Sequence, residues 1–82
     1  MNFQNKNVLI TGASGAVGTA CARMLLQKGA RIFLTDRVDP DPWLLKQKNV
    51  FFSAADVTDK NAIGETYRAA IARFGRIDAA VL

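Results

Sequence analysis

Histidine is missing from these 82 residues. That removes the commonest metal ligand and the commonest general base at neutral pH. A single cysteine, Cys21, excludes an internal disulfide. It sits on the apolar side of a helical pattern and reads as a small buried hydrophobe. One tryptophan and one tyrosine offer little for nucleobase stacking. The eleven lysines and arginines, against seven acids, are scattered without a run or a stripe. The net charge of +4 therefore argues against a nucleic-acid partner and suits a small anionic ligand. No apolar run approaches membrane-spanning length, so no membrane partner is expected. The opening residues lack the apolar stretch of a signal peptide, which makes the cytoplasm the expected location.

Half of the residues are apolar and 22% are charged, as in a globular chain. The length allows one small domain, residues 1–82. A chain this short buries only about two thirds of the surface its unfolded form exposes, so a ligand or a partner surface matters to it.

Val8-Leu9-Ile10 is a continuous apolar run that meets Thr11-Gly12, the pattern of a strand buried on both faces. From Ala16 to Lys28 the period changes. Val17, Ala20, Cys21, Met24 and Leu25 recur at helical spacing and predict one buried face, with Gly29 as the stop. Arg31–Thr35 is a second strand. The polar stretch from Asp36 to Asp41 is a loop, after which Asp41 and Pro42 read as N-cap and first residue of a short helix over Trp43–Lys46. Val50–Phe52 is a third strand. Asp56-Val57-Thr58-Asp59 leads into another helix, with Thr58 or Asp59 as its cap. That helix carries Ile63, Tyr67, Ala70, Ile71 and Phe74 on one face and stops at Gly75. Ala79–Leu82 is a fourth strand. Apolar strands alternating with helices predict an α/β fold: a Rossmann-type, three-layer arrangement on a four-stranded parallel sheet.

The segment between the first strand and the first helix, Thr11-Gly12-Ala13-Ser14-Gly15-Ala16-Val17-Gly18, carries the chemistry. At such a junction a phosphate meets free backbone N–H groups and the positive end of the helix dipole. Gly12 allows the tight turn, Gly15 lets the backbone approach a pyrophosphate, and Gly18 lets the helix lie close on the sheet. The spacing is GxxGxxG. Asp36, at the end of the second strand, is placed to accept hydrogen bonds from adenosine ribose hydroxyls and to repel a 2′-phosphate. This favours NAD over NADP. Arg37 beside it is suited to that phosphate and pulls the other way.

At these residues the chain resembles the short-chain dehydrogenase/reductase family. The glycine loop, Asp36, Ala55-Asp56-Val57-Thr58-Asp59 after the third strand and Phe74-Gly75-Arg76-Ile77-Asp78 before the fourth match it in order and spacing. The resemblance covers essentially the whole chain but only about the first third of the family's domain, a truncated half of a doubly wound sheet with strand order 3-2-1-4. It implies that Asp56 contacts the adenine amino group and that Val57 lines the adenine pocket. The commoner branch of the family reads TGxxxGxG. Here Ala16 replaces its middle glycine and adds a methyl near the expected pyrophosphate path, while TGxxGxxG is typical of the extended and atypical branches.

The cofactor-binding set expected is thus Gly12, Ser14, Gly15, Ala16, Val17, Gly18, Asp36, Arg37, Asp56 and Val57. No catalytic residue and no metal ligand is assigned. The family's asparagine-alanine-glycine segment would begin just after Leu82, and its catalytic serine, tyrosine and lysine lie further on. Tyr67, the only tyrosine, is followed four positions later by Ile71, not by lysine, and helical spacing turns it toward the core. The expected function is dinucleotide binding by part of an oxidoreductase. The alternatives are a non-catalytic nucleotide-binding regulatory module and a self-associating module. The fourth strand lies at a sheet edge, short and free of lysine and proline. Exposure of Val8–Ile10 and Ala79–Leu82 on uncovered sheet faces is expected, and with it a homo-oligomer through that edge or face.

Overall fold

The computed structural model describes residues 3–12, 14–55 and 60–81. Seven elements follow one another: β1 (Asn7–Thr11), α1 (Ala16–Gln27), β2 (Arg31–Asp36), α2 (Pro42–Leu45), β3 (Val50–Ala54), α3 (Lys60–Phe74) and β4 (Ala79–Val81). The four strands form one parallel sheet in the order β3-β2-β1-β4, as the sequence implied. In the register, Leu9 lies beside Phe33 and Ala80, and Phe33 beside Phe51.

Alternation along the strands divides the core into two layers. Val8, Ile10, Ile32, Leu34 and Val50 meet Ala22, Leu25, Ala30 and Leu44 on one face. Leu9 and Phe33 meet Ala70 and Phe74 on the other. Helix α1 thus covers one side of the sheet and α3 the opposite side. This overturns the expected exposure of Val8–Ile10, which are 1%, 5% and 0% exposed. Two helices suffice because β1 is central, and each of its faces looks onto a different helix. The two edge strands, β3 and β4, stay partly exposed.

The helix ends behave as their residues dictate. Gly29 takes φ +87°, a region that costs side-chain-bearing residues energy. Its N–H donates to the Leu26 carbonyl and that of Ala30 to the Leu25 carbonyl, closing α1. The Asp41 carboxylate accepts the Trp43 N–H at 2.9 Å, with Pro42 in the first turn. Gly75 stops α3 at φ +87°. The expected caps Thr58 and Asp59 lie outside the described residues.

The buried faces of both long helices match the expected ones only in part: Leu25, Ala70 and Phe74 are buried as expected. In α1 the buried residues are Gly18, Ala22 and Leu25, whereas Val17 and Met24 are exposed and Cys21 is only partly buried. The smallest residues face the sheet and let the helix approach it. A pattern read from large apolar side chains alone points to the wrong stripe. In α3 the buried residues are Thr66, Ala70 and Phe74, while Ile63, Tyr67 and Ile71 are 46%, 45% and 37% exposed. The C-terminal end of α3 is drawn over β2 and β3: the Phe74 ring meets Phe33 edge-on at 6.1 Å and Phe51 at 5.4 Å. The Ile63–Tyr67–Ile71 stripe then overhangs the β4 side, where three short residues give it little to cover. Tyr67 is therefore not a core residue.

Asp78 fastens that edge. Its carboxylate accepts the Asn7 N–H at 2.8 Å and its own N–H donates to the Asn7 carbonyl at 2.8 Å, while Arg76 pairs with the carboxylate at 2.7 Å.

Phe74→Ala should lower the unfolding free energy by about 3 kcal/mol or more, as expected for a buried aromatic. Ile71→Ala, three residues away on the exposed stripe, should cost under about 1 kcal/mol. Urea unfolding of both variants checks the orientation of α3, and equal losses would contradict it.

Candidate functional site

The C-terminal ends of β1 and β2 bring together two segments that are far apart in the chain. The first is the glycine loop. Gly12 takes φ +66°, and the Gly15 N–H donates back to its carbonyl at 3.1 Å. A side chain at Gly12 would meet nothing within 4 Å, so its backbone angle, not space, calls for glycine. Gly15 is extended, at φ −73° and ψ 165°, and a Cβ there would lie 3.4 Å from the Gly12 carbonyl oxygen. The protein itself can accommodate a side chain at Gly15.

Gly15 is also the N-cap of α1, and no side chain caps that end. The first bond inside the helix runs from the Thr19 N–H to the Gly15 carbonyl at 2.9 Å. The amides of the first turn have no partner within a helix, and Gly15, Ala16 and Val17 are exposed. With no carboxylate in the first turn, the positive end of the α1 dipole stands uncompensated by its own sequence. Gly18 is buried where α1 meets the sheet, the close contact its lack of a side chain permits.

The second segment is the end of β2. Asp36 reaches the loop across 22 positions: its Oδ2 accepts the Ser14 N–H at 3.0 Å and the Ser14 hydroxyl at 2.6 Å. Its Oδ1 accepts the Arg37 N–H at 2.6 Å. The Ser14 hydroxyl, then the Ser14 amide, hold the Asp36 carboxyl below its ordinary range, with help from the Arg37 and Val38 amides and against some desolvation. Arg37 itself is exposed. Ser14 and Asp36 were each candidates from the sequence; their contact was not legible there, because nothing in a sequence signals a bond across such a separation. Asp56 and Val57 lie outside the described residues.

A second cluster escaped the sequence reading for the same reason. Arg23 of α1 pairs with Asp41 at 2.8 Å and stacks over the Trp43 ring at 4.5 Å, tying α1 to the start of α2. Two cavities lie on the α3 side of the sheet. One, of about 210 Å³, is lined by Leu9, Thr11, Thr35, Ile63, Thr66, Tyr67 and Ala80, the other, of about 280 Å³, by the end of β3 and by Glu65 and its neighbours in α3. Thr11 and Thr35 put the first of them next to the shelf formed by the glycine loop and Asp36. Among the described residues no group of acids or Cys21 is placed to hold a metal ion, and no helix is long and apolar enough to cross a membrane.

The family model described as short chain dehydrogenase matches residues 6–82. The chain belongs to the short-chain dehydrogenase family. It is 41% identical over 77 residues to the short chain dehydrogenase andC of Emericella variicolor, covering 93% of this chain and 31% of that protein. It is 33% identical over 87 residues to the human 15-hydroxyprostaglandin dehydrogenase [NAD(+)], covering 95% and 32%. Among solved structures, the NADH-dependent reductase A1-R′ complexed with NAD superposes with a TM-score of 0.85 at 34% identity, over 95% of this chain and 35% of that one. The chain thus spans about a third of the length of the short-chain dehydrogenases it matches.

Among the described residues of this short-chain dehydrogenase chain, three carboxyls are held below their ordinary value of 3.8: Asp36 by Ser14, Asp41 by Arg23 and Asp78 by the Asn7 amide. A carboxyl whose native pKa is depressed contributes stability above its unfolded value and loses it as pH falls through the native one. The melting temperature should therefore hold steady down to about pH 4 and fall below it. Asp78→Asn should make that acid-side fall shallower. A thermal melt series across acid pH checks this, and an unchanged slope would contradict the Asp78 contribution.

Proposed function

We propose that this chain is a dinucleotide-binding unit of an oxidoreductase and that it takes NAD in preference to NADP. The observation that carries the reading is the Asp36 carboxylate, kept charged at the end of β2 and joined to the glycine loop by Ser14. In this reading Gly12, Ser14, Gly15, Ala16, Val17 and Gly18 surround the pyrophosphate. The exposed, uncapped start of α1 supplies amides and dipole to it. Asp36 accepts the adenosine ribose hydroxyls and Arg37 flanks them, with Asp56 and Val57 assigned to the adenine. The nicotinamide supplies hydride transfer when bound, and what these residues do is bind and orient its adenosine half. The human relative is an NAD(+) dehydrogenase by name and the matched reductase is complexed with NAD, which supports the same class of ligand.

The 82 residues form one such unit in this proposal, located in the cytoplasm and without a catalytic serine, tyrosine and lysine set of their own. No tyrosine–lysine pair four residues apart occurs in them, and Tyr67 lines the α3-side cavity together with Ala80 of β4.

Calorimetry with both nucleotides tests the reading. NAD should bind at least about tenfold more tightly than NADP, a difference of about 1.4 kcal/mol. Asp36→Ala should close that gap. A preference for NADP in the parent chain would overturn the assignment of Asp36 and promote Arg37.

A self-associating module is favoured by a separate observation. The stripe of Ile63, Tyr67 and Ile71 is exposed beside the half-exposed edge strand β4. Paired edges or paired stripes of two copies would cover both, giving a homo-oligomer. Sedimentation equilibrium should show concentration-dependent association, weakened by Tyr67→Lys. A monomer at all concentrations rejects it.

A further inference from the structure

The bonds that hold Asp36 are of two kinds. The one from the Arg37 N–H comes from the next residue and turns with the strand end itself. The two from Ser14 come from another element, and both converge on Oδ2. Ser14 is thus a clamp between the glycine loop and the acidic end of β2. The contrast with Arg37 gives the clamp its meaning. An aspartate at a strand end has two soft side-chain torsions, and a carboxylate free to rotate would leave the exposed Arg37 as the dominant charge at the mouth of the site. Held on Oδ2, the carboxylate stays over the loop, where a 2′-phosphate would meet its negative charge at short range.

We propose that Ser14 is a positioning residue for nucleotide selectivity: its hydroxyl fixes the Asp36 carboxylate over the glycine loop and thereby sets the preference for an unphosphorylated ribose. The proposal deepens the nucleotide-binding reading above and rests on it. Serine suits the task because its amide and its hydroxyl both reach one oxygen. The hydroxyl is a donor to the carboxylate of the kind a ribose hydroxyl would supply, so the protein itself holds the acid in place. Alanine at this position keeps the amide bond and loses the shorter one, the hydroxyl bond at 2.6 Å. Threonine keeps both donors. The low titration range of Asp36, for which the Ser14 hydroxyl is the largest cause, agrees with this placement.

The test is a double-mutant cycle on the full 82-residue chain, with NAD and NADP titrated calorimetrically against the parent, Ser14→Ala, Asp36→Ala and the double variant. Loss of one charge-assisted hydrogen bond predicts that Ser14→Ala narrows the ratio of the two dissociation constants by about tenfold. Ser14→Thr should restore most of that ratio. In the Asp36→Ala background, Ser14→Ala should change the ratio by less than about twofold, because the clamp has nothing left to hold. Equal weakening of both nucleotides by Ser14→Ala would overturn the proposal and make Ser14 an ordinary phosphate contact. Tighter NAD binding in Ser14→Ala would overturn it too, making the hydroxyl a competitor of the ribose. The free protein separates failure of the clamp from failure of the nucleotide reading. By NMR titration the Asp36 carboxyl should move up toward its ordinary range in Ser14→Ala, with or without a nucleotide partner. An Asp36 that does not move rejects the clamp itself. An Asp36 that moves in a parent chain binding neither nucleotide rejects the nucleotide reading and, with it, the role in selectivity.

Discussion

The central strand β1 has no face that water can reach. Val8 and Ile10 point one way and Leu9 the other, and all three are buried. A parallel strand buried on both faces obliges the chain to place a helix on each side of the sheet. Here α1 meets that demand on one side and α3 on the other, with α2 adding Leu44 to the α1 layer. Because every strand is parallel, all the strands finish at the same end of the sheet. The glycine loop after β1 and the acid at the end of β2 are neighbours for that reason alone. The candidate site is a geometric consequence of the core beneath it.

The shelf formed there combines two electrostatic features of opposite sign. The start of α1 is positive by its backbone, with no acidic side chain in the first turn to offset it. Asp36 is negative and remains so because donors from two elements converge on it. A ligand that suits both must carry an anionic group at one point and neutral hydroxyls at another. A dinucleotide has this polarity. The two cavities on the α3 side have a different character, with Leu9, Ile63, Tyr67 and Ala80 in the walls of one of them.

Energetically the molecule is uneven. The α1 layer is built from small residues against β-branched and leucine side chains, and its largest members are fully buried. The α3 layer depends on fewer groups, chiefly the aromatic contacts of Phe74 with Phe33 and Phe51. Arg31 and Arg73 lie over the Phe74 and Phe51 rings at 4.6 and 4.1 Å and shield their outer sides. Thr35 contributes a buried hydroxyl without a hydrogen-bond partner beneath the α3 cavity, a feature that adds no stability to this layer.

The amino-acid sequence by itself determined the order of elements, the parallel sheet and its strand order, the glycine turn, and the stops at Gly29 and Gly75. Each of these rests on local chemistry: apolar runs bounded by turn residues, or backbone angles that glycine adopts without strain. Gly12, Gly15 and Asp36 could be named as candidate site residues for the same reason, since the motif lies in consecutive residues or at a strand end. Only the tertiary structure decided which side of each helix is buried. That choice depends on how closely a helix can approach the sheet, so Gly18, Ala22 and Thr66 prevailed over the larger Val17, Met24 and Tyr67. It likewise decided that Ser14 would hold Asp36 and that Arg23 would reach Asp41 and Trp43. A hydrogen bond requires its two groups to arrive within about 3 Å of each other, and for groups so far apart along the chain that distance is a property of the folded sheet, not of any segment within it.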